Sequence, residues 1–128
     1  MAEDIRKTPN GKLEVRISVR DQPKTTAVLV LRGEIDNEGA ELLKTVLDEF
    51  RKKRLKYIVI SASELKKVSS AGISVLLAHK SLSLVGGPKI SLVATPDCLR
   101  FPLEQLGAIS LFPMFDDIGS ALQSLESE

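Results

Sequence analysis

Two adjacent hydroxyls, Ser69 and Ser70, lie between a strand-like run and an apolar helix-like run in KKVSSAGISVLL, residues 66–77. At the start of a helix a serine supports two kinds of chemistry. Its oxygen can cap, accepting from one of the backbone N–H groups that have no partner in the first turn. It can also carry a phosphoryl group, because those amides and the helix dipole stabilise an anion by roughly 0.3 to 1 kcal/mol. The added charge of about −1.5 to −2 would then oppose burial against a partner. Capping explains one serine better than two.

Other chemistry is poorly supported. A nucleophilic serine needs a base within hydrogen-bond reach, and the elbow motif GxSxG is absent. His79, the single histidine, is nine residues further along the same helix, about 13 Å away at 1.5 Å per residue. Cys98 is the only cysteine, so no intrachain disulfide can form. Together with one histidine it is too little for the usual His/Cys metal site, and no HExxH, CxxC or EF-hand loop is present. The run KSLSLVGGPK lacks the GxxxxGK[ST] spacing of a phosphate-binding loop. Glu34 and Asp36 flank one residue and are better read as a loop and helix cap than as a carboxylate pair. The expectation is a chain without cofactor or metal, and not an enzyme.

These side chains must be positioned by one compact unit, since 128 residues suit a single core. A hydrophobic fraction of 43% with 27% charged residues excludes a disordered chain. The formal charge of +1 gives no reason to expect nucleic acid, which needs a concentrated basic surface. MAEDIRKTPNGK has no apolar h-region, and no run reaches the length of a membrane span. The expected location is cytoplasmic.

Leu13, Val15, Ile17 and Val19 alternate with polar residues, the period of a half-buried strand. After a turn at Asp21-Gln22-Pro23-Lys24, TTAVLVLRG is nearly continuous in apolar residues, as for a strand covered on both faces. Leu43, Val46, Leu47 and Phe50 then recur at helical spacing, with Asp36 or Asn37 as cap. The basic cluster Arg51, Lys52, Lys53, Arg54 either meets an acidic partner or phosphate, or offsets the helix dipole. YIVISAS and KISLVAT predict two further strands, the second entered through Gly86-Gly87-Pro88. A helix is expected between about Asp97 and Leu106, either kinked at Pro102 or beginning late near Phe101, with Gly107 as its stop. LFPMF predicts a brief edge strand and IGSALQSL a last helix. This order predicts a single α/β domain over residues 13–125, between tails at 1–12 and 126–128. Its sheet is mixed, mainly parallel, with about five strands and about four helices.

Projected as a helix, residues 70–85 place Ile73, Leu76, Leu77 and Leu84 on one side and Val75, Ala78, Leu82 and Val85 roughly opposite. One stripe faces the sheet. The second meets either the neighbouring helix or another molecule.

LRGEID, then IVISASELKKVSSAGISVLL, then VGGPKISLV, then LGAISLFPMF followed by SAL resemble, in order and spacing, the bacterial anti-sigma factor antagonists. Their fold is the STAS domain, shared with sulfate transporter tails, and the resemblance runs from about Val28 to Leu125. It implies a binding protein that docks on a serine-kinase anti-sigma factor with a histidine-kinase-like ATP fold, frees the sigma factor, and is switched off when a serine is phosphorylated. A serine phosphatase is a further implied partner. Ser69 occupies the place of the family's common Asp, and Ala71 the place of the phosphorylated hydroxyl in Asp-Ser-Ser-Gly members. Ser61 stands where the family often has Asp at the end of a strand. By analogy with Ser-Ser-Ala-Gly members, Ser70 is the expected phosphorylation site and Ser69 the second choice. The implied docking surface comprises Asp36, Asn37, Ser69, Ser70, Gly72, Ser74, Val75, Ala78 and Leu82. The alternative is a phosphorylation-independent STAS scaffold or subunit of a signalling or lipid-transport complex, in which both serines merely cap.

Overall fold

The computed structural model describes residues 3–21 and 25–126. Six strands, β1 (Glu3–Lys7), β2 (Leu13–Arg20), β3 (Thr26–Ile35), β4 (Tyr57–Val68), β5 (Lys89–Val93) and β6 (Met114–Phe115), form one sheet in chain order. β1 to β3 pair antiparallel and β3 to β6 parallel, so the sheet is mixed and mainly parallel, as the sequence order implies. The helices are α1 (Asn37–Lys52), α2 (Ser70–Ser83), α3 (Asp97–Gln105) and α4 (Ile118–Glu126), with a 3₁₀ turn at Ile109–Leu111.

The core explains the two hydrophobic periods. Leu13, Val15 and Ile17 of β2 join Ala27, Leu29 and Leu31 of β3, Ile58 and Ile60 of β4, and Leu92 of β5 beneath α1, α2 and α3. On the other face Val28, Val59 and Val93 meet Ala121 of α4, with Phe115, Ile118 and Leu122 against them. β3 is therefore apolar at consecutive positions because helices cover both of its faces, while β2 alternates because its second face meets water.

Several elements differ from expectation. Residues 3–7, assigned to a tail, form β1 on the sheet edge, where the Arg6 guanidinium pairs with both carboxylate oxygens of Glu49 in α1. β4 continues for 12 residues through ELKKV, which places Ser61 in mid-strand and buried rather than at a strand end. α3 runs from Asp97 to Gln105 with Pro102 inside it, the span expected, and only the alternative of a late start near Phe101 fails. The proline has no N–H to offer the Cys98 carbonyl. Gly107, at φ +68, ends the following turn as expected. The turn at Gln22-Pro23-Lys24 and the last two residues of the C-terminal tail lie outside the described residues.

α2 packs by Ile73 and Leu76, each worth about 1.5 to 3 kcal/mol when buried. Leu84, expected beside them, lies past the helix end and is 83% exposed. His79 takes the place along that seam. Its Nε2 lies 2.9 Å from Asp48 Oδ1 on α1, and its Nδ1 lies 3.0 Å from the Val75 carbonyl. The ring thus ties α2 to α1 across the seam. The His79 bond, followed by burial in the opposite sense and a bond from Lys44, holds the Asp48 carboxyl below its ordinary value. Because the folded value is depressed, this stabilisation is present above the ordinary carboxylate range and is lost as pH falls from that range through the lower folded value. Asp48→Ala is expected to cost roughly 1 to 3 kcal/mol at neutral pH. In urea denaturation the difference from the unaltered protein shrinks as the pH falls below about 4.

Candidate functional site

The site is built where β3 and β4 end side by side, with Ile35 paired to Val68. Asp36 leaves β3 and caps α1, accepting from the Gly39 N–H at 2.8 Å. Ser69 leaves β4 and caps α2, accepting from the Gly72 N–H at 3.1 Å. The two caps are tied by the Ser69 N–H, which donates to the Ile35 carbonyl at 2.7 Å. Two helices thus begin at one corner, and their positive ends converge on it.

The geometry divides the serine pair. Ser69 is half-buried and used as the cap. Ser70 is the first residue of α2 and is exposed. The first intrahelical bond runs from the Ile73 N–H to the Ser69 carbonyl, so the amides of Ser70 and Ala71 precede the ladder and can face an anion.

Two glycines set this corner. A Cβ on Gly72 would lie 2.7 Å from Ile35 Cγ2 and 3.1 Å from Val68 Cγ1, so α2 reaches the strand ends only because that position is bare. Gly72, expected on the docking surface, is buried, and its bare position sets where the serines stand. Gly33 has φ +111, and the Glu34 N–H beyond it donates to the Lys12 carbonyl at 2.8 Å. This bend aims Ile35 and Asp36 at the corner.

Asn10 was not singled out from the sequence. Its side-chain amide donates to Asp36 Oδ2 at 2.8 Å, and its backbone N–H to Glu38 at 3.2 Å. The Gly39 amide first, then the Asn10 amide, lower the pKa of Asp36 from its ordinary value. The available signal was the Asn10-Gly11 pair, a hairpin-turn dipeptide.

The remaining expected residues divide. Asn37, Ser74 and Ala78 are exposed, and Ser74 and Ala78 follow Ser70 at four-residue spacing along one face of α2. Val75 is half-buried and packs against the core, and Leu82 is half-buried at the opposite end of α2, in a depression with Arg51 and Tyr57. Beside Ser70 a shallow groove is lined by Val68, Ile73, Ser74, Leu77, Pro102 and Leu106. α3 thereby extends the apolar surface next to the hydroxyl; Leu106 is 62% exposed. Among the described residues no cluster of His, Cys, Asp and Glu is placed to hold a metal ion.

A mixed sheet with helices starting at one corner defines a class of small α/β domains. The sequence matches the STAS domain over residues 16–121, and the chain belongs to that family. An anti-sigma factor antagonist from Mycobacterium paratuberculosis has the same fold at 21% identity and TM-score 0.73, covering 93% of this chain and 97% of that one. The Bacillus anti-sigma factor antagonist SpoIIAA, in its unphosphorylated form, has 18% identity and TM-score 0.72, covering 88% and 97%. A sulfate transporter family protein from Wolinella succinogenes has 21% identity and TM-score 0.67, covering 80% and 85%. No curated sequence gives a significant match. Among the described residues no helix is long and apolar enough to cross a membrane.

Proposed function

We propose that this chain is an anti-sigma factor antagonist that binds a serine-kinase anti-sigma factor with a histidine-kinase-like ATP fold and so releases its sigma factor. Asp36, Asn37, Ser70, Ser74 and Ala78 form the contact around the Ser69 cap, with the Leu77–Leu106 groove beside them. The observation that carries the reading is the exposed Ser70 hydroxyl at the first residue of α2, next to a cap that is already satisfied by Ser69.

In the off-switch, Ser70 Oγ takes the terminal phosphoryl group of ATP. The bond to ADP breaks, and a base on the kinase accepts the hydroxyl proton. The phosphate stays near the amides of Ser70 and Ala71, so the domain keeps its fold while the docking face gains negative charge. A serine phosphatase restores the hydroxyl. The fold shared with SpoIIAA supports this reading. The same fold in a sulfate transporter family protein favours the alternative, a scaffold that binds without phosphorylation.

Mass spectrometry after incubation with ATP and the anti-sigma kinases of the source organism separates the two. The switch predicts one phosphate on Ser70, absent in Ser70→Ala and retained in Ser69→Ala. Tight binding by a chain that no kinase modifies would favour the scaffold.

A further inference from the structure

The end of the sheet opposite Ser70 has a different character. β3, β4 and β5 are parallel, so Tyr57 and Lys89 begin at one end while Asp36 and Ser69 follow at the other. The 12 residues of β4 separate the two ends by roughly 36 Å at about 3.3 Å per residue. At the far end, Arg51, Arg54, Lys56 and Lys89 share a depression with Leu82 and Val85.

Beside it stand the two most exposed large hydrophobic side chains among the described residues, Leu84 at 83% and Val85 at 80%. They do not belong to a frayed end. The Leu84 N–H donates to Ser81, and the Val85 and Gly87 N–H groups donate to Leu82, all within 3.1 Å. Gly86 takes φ +97, and a Cβ on Gly87 would lie 2.8 Å from the Leu82 carbonyl. A tightly bonded turn therefore holds an aliphatic pair outward.

The cations near this pair are only partly neutralised: Lys89 lies over the Tyr57 ring, and Lys52 and Lys53 act on Glu49 from a distance. Lys52, Lys53, Arg54 and Lys56 make no salt bridge with a described residue, and Arg51 reaches Asp48 only at 3.7 Å. Arg54 has φ 59 in the position after the α1 cap. There the Leu55 N–H donates to Phe50 and the Arg54 N–H to Arg51, the pattern in which glycine fits without strain. A long cation is held at a backbone cost that glycine would avoid.

We propose that this end is a peripheral docking surface for an anionic phospholipid membrane. Leu84 and Val85 enter the boundary between headgroups and acyl chains, and Arg51, Arg54, Lys56 and Lys89 lie over the lipid phosphates. An acidic protein would complement the cations but would need a pocket matched to a projecting aliphatic pair. A bilayer interface supplies anionic charge and apolar depth at every point. Because the surface lies opposite Ser70, membrane and protein partner can be held together, and the inference does not rest on the proposed function.

Sedimentation of the full chain with phosphatidylcholine vesicles, with and without phosphatidylglycerol, tests this. The chain is expected to pellet with the anionic vesicles alone and to be released by salt. Leu84→Ser with Val85→Ser should weaken partitioning about tenfold or more. Arg51→Gln with Lys56→Gln, both lining the depression, should weaken it about 25-fold, about fivefold per charge. Arg54→Gly should weaken it about fivefold while raising the thermal midpoint, a pairing that general destabilisation cannot produce. Circular dichroism checks that the variants are folded. The proposal is overturned by no pelleting with anionic vesicles at low salt, by binding indifferent to the Leu84/Val85 changes, or by binding to polyglutamate without binding to vesicles.

Discussion

Ser70→Asp is expected to weaken binding to the partner kinase at least about thirtyfold, because an unpaired charge buried at an interface costs roughly 2 to 5 kcal/mol. Stability should not fall with it. Aspartate in the first turn is favoured by the helix dipole, so the thermal midpoint stays level or rises slightly. Ser69→Ala gives the reverse pattern. It removes the oxygen that accepts from Gly72 and lowers stability by about 1 kcal/mol, yet leaves the Ser70 hydroxyl available. Titration calorimetry and thermal denaturation of the two variants therefore assign one serine to switching and the other to folding. Parallel losses in both measurements for either variant would contradict that division.

Gly33→Ala is expected to be the most destabilising single-methyl change among the described glycines. The new Cβ would sit 2.0 Å from the Lys12 carbonyl oxygen, and the backbone is at φ +111. Neither the carbonyl nor the strand can yield cheaply, because the same Lys12 oxygen accepts from Glu34 and β2 is paired along its length. Strain and overpacking together amount to about 3 kcal/mol or more. In a domain of this size the thermal midpoint drops by roughly 10 °C or more. Kinase binding should fall as well, since the displaced bend carries Asp36. Gly11→Ala is the control, as its added methyl has nothing within 4 Å. A positive φ of 73 makes it mildly unfavourable, and its cost should stay well below that of Gly33→Ala.

The sequence displays those parts of the fold that are written in local periods. Leu13 to Arg20 alternates because water meets one face of β2, and α1 shows a clean apolar stripe after the Asp36 cap. Both serines were legible as groups at a helix start, and their division between cap and exposed hydroxyl needed only the position of Gly72. β1 was not legible. EDIRK has a single apolar residue, and the strand is held by pairing to β2 and by the Arg6–Glu49 contact 43 residues away. The Asp48–His79 contact spans 31 residues in the same way. α2 misled because its two apolar groups suggested equal stripes. In the fold one is core, Val75 is half-used, and Leu84 and Val85 leave the helix altogether. α3 was legible over Asp97–Leu106, and Pro102 left only its start open, which burial of Leu99 and Leu103 decides in favour of Asp97.

Amide hydrogen exchange of the chain alone and in complex with its anti-sigma kinase measures the docking face most directly. Slowed exchange concentrated at Asp36–Glu38 and Ser69–Ala78, and absent after phosphorylation of Ser70, is the predicted result. Protection confined to the Leu84–Lys89 turn or to the β1–β2 edge, with the serine corner exchanging as freely as before, would contradict it.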